Sequence, residues 1–181
     1  MDIAVVYESL FGNTRAIAEA IAGGARQADP GARVTVLGAA ETTPGQIGEA
    51  ELVIAGGPTH IRGMSKPSTR RQAPPSTGNP AANEQRGAAT GPGIREWLAA
   101  LPAAPPGRMA AAFDTRLAFP LAGGAARPIA RGLRRRGYRV ITRPMGFLVD
   151  GGQGPLQAGE RDRAGAWGAD LVRQLARQPA R

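Results

Sequence analysis

Ser9-Leu10-Phe11-Gly12-Asn13-Thr14 gathers three polar side chains and a glycine into six residues. The apolar run Ile3-Ala4-Val5-Val6-Tyr7 precedes it, and Arg15-Ala16-Ile17-Ala18-Glu19-Ala20-Ile21 follows. A buried strand, a hydroxyl-rich turn and a helix start therefore come in that order. The first turn of a helix leaves backbone N–H groups without intrahelical partners and carries a partial positive charge. A phosphate placed there collects several N–H bonds at once. Ser9, Asn13 and Thr14 can add side-chain donors, and Gly12 lets the backbone come close to a ligand. The alternative reading of the same residues is a simple helix cap by Asn13 or Thr14.

The turn is neither of the two common nucleotide loops. It has no Lys of the G-x-x-x-x-G-K-S/T type and lacks the three glycines of G-x-G-x-x-G. It resembles the phosphate loop of the flavodoxin family, Ser/Thr-x-Thr-Gly-Asn-Ser/Thr, with Phe11 in place of the central Thr. The resemblance implies FMN as cofactor, with its phosphate held by Ser9, Leu10, Phe11, Gly12, Asn13 and Thr14. Two later turns also resemble loops of that family. Gly57-Pro58-Thr59-His60-Ile61-Arg62 is similar to the loop bordering the flavin ring, implicating Pro58, Thr59 and His60. Phe113-Asp114-Thr115-Arg116-Leu117-Ala118-Phe119 is similar to the loop at the pyrimidine side, implicating Asp114, Thr115 and Arg116. Arg62, Lys66 and Arg116 are expected to bring positive charge towards the reduced flavin. The stretch from Phe147 to Leu156 resembles the corresponding family segment and is assigned no chemistry.

The elements that must carry these turns alternate regularly. Strands are expected at 3–7, 34–37, 52–55 and 109–113, with Gly56-Gly57-Pro58 ending the third. A fifth strand starts over 138–142 and resumes at 147–149 after a break at Pro144. Helices are expected at 13–27, 94–101, about 122–136 and about 159–177, with a short helical turn from Thr43-Pro44 carrying Ile47. Such alternation predicts an α/β fold, a parallel sheet with helices on both faces. Five strands suit the flavodoxin-like doubly wound order 2-1-3-4-5, in which ligands bind beyond the carboxyl ends of strands one and three.

Pro67 to Gly93 holds five Pro, four Gly and no Val, Ile, Leu, Met or aromatic residue. Such a segment buries little surface. The chain of 181 residues is therefore read as a single flavodoxin-like domain, 1–181, with a flexible insertion at about 67–93.

Composition narrows the chemistry. There is no Cys and one His, which removes disulfides, thiolate sites and iron–sulfur clusters and argues against a zinc site. No apolar run approaches 18 residues, and the first strand begins at Ile3, so neither a membrane span nor a signal peptide is expected. Cytoplasmic placement follows as the expectation. The formal net charge is +9, and of 23 basic residues only Lys66 is lysine. A basic field attracts anions. The partner expected is a redox protein, and an acidic surface on it would complement this charge. No zinc finger, RRM signature or aromatic–basic interleaving points to nucleic acid. The densest cluster, Arg131, Arg134, Arg135, Arg136 and Arg139, suits a solvated helix end or a partner-binding patch.

Two functional classes stay open on the residues alone, with a third beside them. One is electron transfer through bound flavin. The second is an FMN-dependent NAD(P)H:quinone-type oxidoreductase. The third is a non-catalytic module with a degenerate flavin site. The absence of a second nucleotide fingerprint favours the carrier.

Overall fold

Alternate residues of the apolar runs serve opposite faces of one sheet. The computed structural model describes residues 1–72, 90–119 and 123–177. Its elements are β1 (Asp2–Tyr7), α1 (Asn13–Ala28), β2 (Arg33–Gly38), α2 (Pro44–Ile47), β3 (Leu52–His60), β4 (Gly63–Met64), α3 (Pro67–Arg71), α4 (Ile94–Ala100), β5 (Met109–Leu117), α5 (Ala126–Arg135), β6 (Arg139–Val140), β7 (Met145–Val149) and α6 (Glu160–Ala176). Parallel pairing runs β2-β1-β3-β5-β6, β7 pairs with β5 on β6's side, and β4 folds back antiparallel on β3. Taken as one interrupted strand, β6 and β7 complete the expected 2-1-3-4-5 order. The interruption is a bulge. Ala110 pairs with Val140 and Phe113 with Met145, so residues 141–144 stand opposite only 111 and 112. Pro144 lies in the bulge, where its missing N–H breaks no ladder.

Ile3, Val5, Leu52, Ile54, Ala111 and Phe113 face α1 and α6; Ala4, Val6, Val53, Ala55, Ala110 and Ala112 face Ile94, Trp97, Leu98, Ile129 and Leu133 of α4 and α5. Phe113, Phe147 and Trp167 form three edge-to-face pairs with centroids 6.1–6.4 Å apart on the first of these faces. Glycines let α1 and α6 touch backbone to backbone. A Cβ on Gly24 would stand 1.8 Å from the Gly165 carbonyl oxygen, and one on Gly168 would stand 2.1 Å from that of Ile21. Gly168→Ala is therefore expected to destabilise by about 1–3 kcal/mol, because overpacking outweighs the helix-propensity gain of about 1 kcal/mol. Thermal unfolding reads this as a fall of several degrees. An unchanged Tm would mean that the two helices sit further apart in solution.

Three sequence expectations change. Gly56-Gly57-Pro58 does not end the third strand; β3 continues to His60 and pairs with β5 as far as Pro58↔Thr115. The glycines are needed for packing, since a Cβ on Gly56 would lie 2.2 Å from the Phe113 ring. Gly56 gives its carbonyl to Glu8 N on the β1 side. Pro58, two residues on, turns its nitrogen the same way, past the last β1 pair at Tyr7↔Gly56, where no ladder bond is lost. Second, the helix expected from about 122 starts at Ala126, because Gly124 N bonds the Arg62 carbonyl at 3.3 Å and Gly123, at a left-handed φ of 69°, bridges to Arg62. Ala122 lies outside the described residues. Third, the 67–93 insertion opens with a helix. Arg70 of α3 is 2% exposed, so a segment read as lacking packed residues supplies a buried cation. Residues 73–89 of the insertion lie outside the described residues.

Candidate functional site

The Ser9–Thr14 turn leaves β1 and enters α1 at the carboxyl end of the sheet. Gly12 holds a left-handed conformation, φ 82°, and a Cβ there would meet nothing within 4 Å. No side chain caps α1, and the N–H groups of Asn13 and Thr14 have no acceptor among the described residues. Ser9 Oγ is buried without a partner in the described structure. Two unpaired N–H groups, an unpaired hydroxyl and open space at Gly12 make a seat for an anionic oxygen cluster. The cap reading loses its basis, because neither Asn13 nor Thr14 bonds the first turn.

Those two side chains do other work. Asn13 Nδ2 donates to the Gln153 carbonyl at 2.9 Å, tying the turn to the loop after β7. Thr14 Oγ1 lies 2.8 Å from Thr115 Oγ1, buried, and locks the start of α1 to the end of β5.

Beside the seat is a cavity of about 530 Å³, within the range that holds a cofactor. Phe11, His60, Ile61 and Gln153 line it, together with Thr69 of α3 and the adjoining Gln72. Phe11 thus supplies an aromatic wall where the family pattern has a hydroxyl. Burial pushes the His60 imidazole below its ordinary pKa, outweighing the opposite pull of Glu8 and reinforced by Arg70. The hairpin between β3 and β4 turns through Ile61 (φ 42°) and Arg62 (φ 70°), left-handed values that cost a side-chain-bearing residue strain. The hairpin is held by the Gly124 N to Arg62 carbonyl bond and by Thr59.

Asp114 faces inward, and Thr59, which also lines the cavity, is bonded to it. Thr59 Oγ1 donates to Asp114 Oδ2 at 3.2 Å and accepts from Ala125 N at 3.0 Å. Asp114 is fully buried, and its Oδ2 also accepts from Ala126 N at 2.8 Å, at the start of α5. Arg116 lies across the sheet, 3.6 Å from Asp114 Oδ1, at van der Waals range of Gly146, where a Cβ would strike its guanidinium. The side chains expected at a ring edge thus form a brace between β3, β5 and α5, and the Arg116 charge is paired. Leu10 is buried, while Pro58 is half-buried on the extended end of β3.

Burial raises the Asp114 pKa, against the Ala126 amide, the Arg116 charge and the Thr59 hydroxyl. A carboxyl with a raised folded pKa holds its proton more tightly when folded. It therefore destabilises progressively as pH climbs from about the unfolded value of 3.8 through the folded one. Asp114→Asn removes that loss. Denaturant unfolding at stepped pH is expected to show the difference between variant and wild type shifting in the variant's favour as pH rises through this window. A pH-independent difference would remove Asp114 as the source.

Sequence reasoning passed over Gln153, Thr69 and Gln72. The first lies in a segment given no chemistry, and the others lie in the insertion; no local pattern marks a residue brought to a cavity from a distant loop. No group of three or more acidic, His or Cys residues arranged to hold a metal exists among the described residues, and no helix among them is long and apolar enough to cross a membrane.

Residues 5–72 match the sequence model of the flavodoxin family, described as Flavodoxin. A flavodoxin from the domain Archaea superposes with TM-score 0.66 at 23% identity, covering 97% of this chain and 99% of that one. Oxidised Flavodoxin 1 from Bacillus cereus gives TM-score 0.65 at 16% identity over 96% and 98%. The Flv1 flavodiiron core from Synechocystis sp. PCC6803 gives 0.62 at 19%, covering 97% of this chain but 36% of the larger one. At these identities the likeness to solved structures establishes the fold. No curated protein matches the chain in sequence.

Proposed function

We propose that this chain, flavodoxin-like in the fold of its described residues and in sequence over residues 5–72, binds FMN and transfers electrons through it. The observation that carries this reading is the uncapped start of α1, with Gly12 open and Ser9 Oγ orphaned, beside a cavity of about 530 Å³. These residues fit the cofactor: a dianionic phosphate needs N–H and O–H donors, and a flat ring needs an aromatic-walled slot.

The Ser9–Thr14 turn would hold the phosphate through Ser9 Oγ and the backbone N–H groups of Asn13 and Thr14. Phe11, Thr59, His60 and Ile61 would border the ring, with Pro58 just before them in β3. FMN supplies one- and two-electron chemistry, and the protein tunes it. His60, with its lowered pKa, presents a neutral imidazole to the cavity at pH 7. Thr59 borders the cavity, and with Asp114, Thr115 and Arg116 it braces the segments that form the site. The partner is a redox protein, and cytoplasmic placement belongs to the same reading.

FMN titrated into the apoprotein is expected to bind with one-to-one stoichiometry and quenched flavin fluorescence. No binding at micromolar concentration overturns the proposal. Anaerobic NADPH added to the loaded protein separates carrier from reductase: a flavin spectrum stable for minutes is expected, and rapid bleaching would assign the reductase.

A further inference from the structure

Helix α5, sequence ARPIARGLRR, contains no acidic residue. Ala126, Ile129, Ala130 and Leu133 are buried against the sheet, while Arg127, Arg131, Arg134 and Arg135 are exposed. None of these four arginines has a hydrogen-bond or ion-pair partner among the described residues, whereas Arg136 is spent on the Leu98 and Ala99 carbonyls. Arg127 and Arg131, and Arg131 and Arg135, are four residues apart, so like charges face each other along the helix. Arg127 also stands in the first turn, where the helix end is already positive and no acid answers it. Arg134 and Arg135 suit the last turn, but Arg127 and Arg131 oppose helix stability. An arrangement that works against its own element points to a function outside it.

The stripe also has a direction. α5 starts at the cofactor end of the sheet, where Gly124 N bonds Arg62 and Ala126 N bonds Asp114. From Arg127 to Arg135 it runs about 12 Å away from that end. Next to its start is the β3–β4 hairpin, whose tip residue Ile61 is 86% exposed. Leu117 and Phe119, at the end of β5, are the other large exposed hydrophobics among the described residues. An apolar spot flanked by arginines has the anatomy of a protein interface. The stripe is accompanied by no zinc finger, RRM signature or aromatic–basic interleaving that would mark it for nucleic acid.

We infer that the α5 stripe Arg127–Arg131–Arg135 docks a carboxylate-rich face of a partner protein, seating that partner beside the flavin edge. The inference rests on the electron-transfer reading for its purpose, but the contact surface is testable without it.

The test uses fully succinylated cytochrome c as an acidic probe and native cytochrome c as a basic one, with association measured by sedimentation at low ionic strength. The full chain is expected to bind the succinylated form, to ignore the native form, and to lose affinity steeply with added salt. The triple variant Arg127→Gln, Arg131→Gln, Arg135→Gln should weaken binding at least tenfold. A control of equal net charge, Arg143→Gln, Arg161→Gln, Arg177→Gln, should weaken it less than threefold. Equal losses in the two variants would show that net charge alone acts and would overturn the proposal. A 20-base-pair duplex losing more affinity than the acidic protein in the stripe variant would assign the surface to nucleic acid and overturn it equally. Relief of repulsion predicts that the stripe variant melts no lower than wild type, and the single variant Arg131→Gln, expected to weaken binding about threefold, gives a second reading of the same surface. Flavin absorbance of the loaded protein reports the FMN reading separately, so its failure is not confused with failure of the surface.

Discussion

Riboflavin is expected to bind about a thousandfold more weakly than FMN. The difference between the ligands is the phosphate, and the seat for it is built from Ser9 Oγ and the N–H groups of Asn13 and Thr14 at the uncapped start of α1. Hydrogen bonds to a charged group contribute about 1.5–3 kcal/mol each. Three of them reach about 4–9 kcal/mol, and the low end, which allows for stripping water from the phosphate, is a factor of about a thousand. Ser9→Ala should weaken FMN by about ten- to a hundredfold and leave riboflavin unchanged. Thr14→Ala should behave differently, because its hydroxyl is bonded to Thr115 in the interior. That variant should lower stability by about 1 kcal/mol with little change in the FMN-to-riboflavin ratio. Titration of both flavins by fluorescence quenching decides the matter, and wild-type protein with equal affinity for the two has no phosphate seat.

The second large effect is expected at Arg70, behind the cavity. Arg70 is 2% exposed and Glu8 4%; the place where a Gly93 Cβ would stand is 2.5 Å from both Arg70 Nη1 and Glu8 Oε2. Arg70 donates to Ser65 Oγ at 3.0 Å and to the Gly91 carbonyl at 3.2 Å, and pairs with Glu96 at 2.9 Å. Glu8 Oε2 accepts from Ile94 N at 2.8 Å. The cluster thus joins β1, α3 and the entry to α4. Arg70→Met removes the hydrogen bonds to Ser65 and Gly91 and the ion pair with Glu96. It also takes the positive charge away from the neighbouring buried Glu8 carboxylate, which is not in ion-pair contact with it. The substitution should cost about 2–4 kcal/mol. The double variant Glu8→Gln, Arg70→Met should recover a substantial part, because the uncompensated charge is gone while the Ile94 amide keeps an acceptor. Urea unfolding followed by tryptophan fluorescence gives both values. A cost below 1 kcal/mol for Arg70→Met, or no recovery in the double variant, would mean that solvent already reaches the cluster.

Much of the molecule was legible in its order of residues because the signals are local. The apolar runs at 3–7, 52–55 and 109–113 read directly as strands, and the strand–turn–helix expected at 3–21 is present, its turn opening into the uncapped start of α1. A strand–turn–helix of this kind is set by consecutive residues, so the local sequence reveals it. The packing demand on Gly56 was not legible, because the Phe113 ring that needs its missing side chain comes 57 residues later in the chain. The same holds for the site's polar side chains. Sequence puts Thr59 and Asp114, Thr115 and Arg116 in turns beyond their strands, but β3 runs on to His60 and β5 to Leu117, and the fold decides which way each side chain turns. Bringing β3 beside β5 and α1 over its end pairs Thr14 with Thr115 and Thr59 with Asp114, contacts that span 101 and 55 residues of chain. A buried polar group must find a partner, and the nearest partner is set by tertiary neighbours. Gln153 and Glu8 became part of the site's surroundings, and Arg70 a buried ion, for that reason: the residues that surround a buried charge belong to distant segments, and only the assembled sheet brings them together.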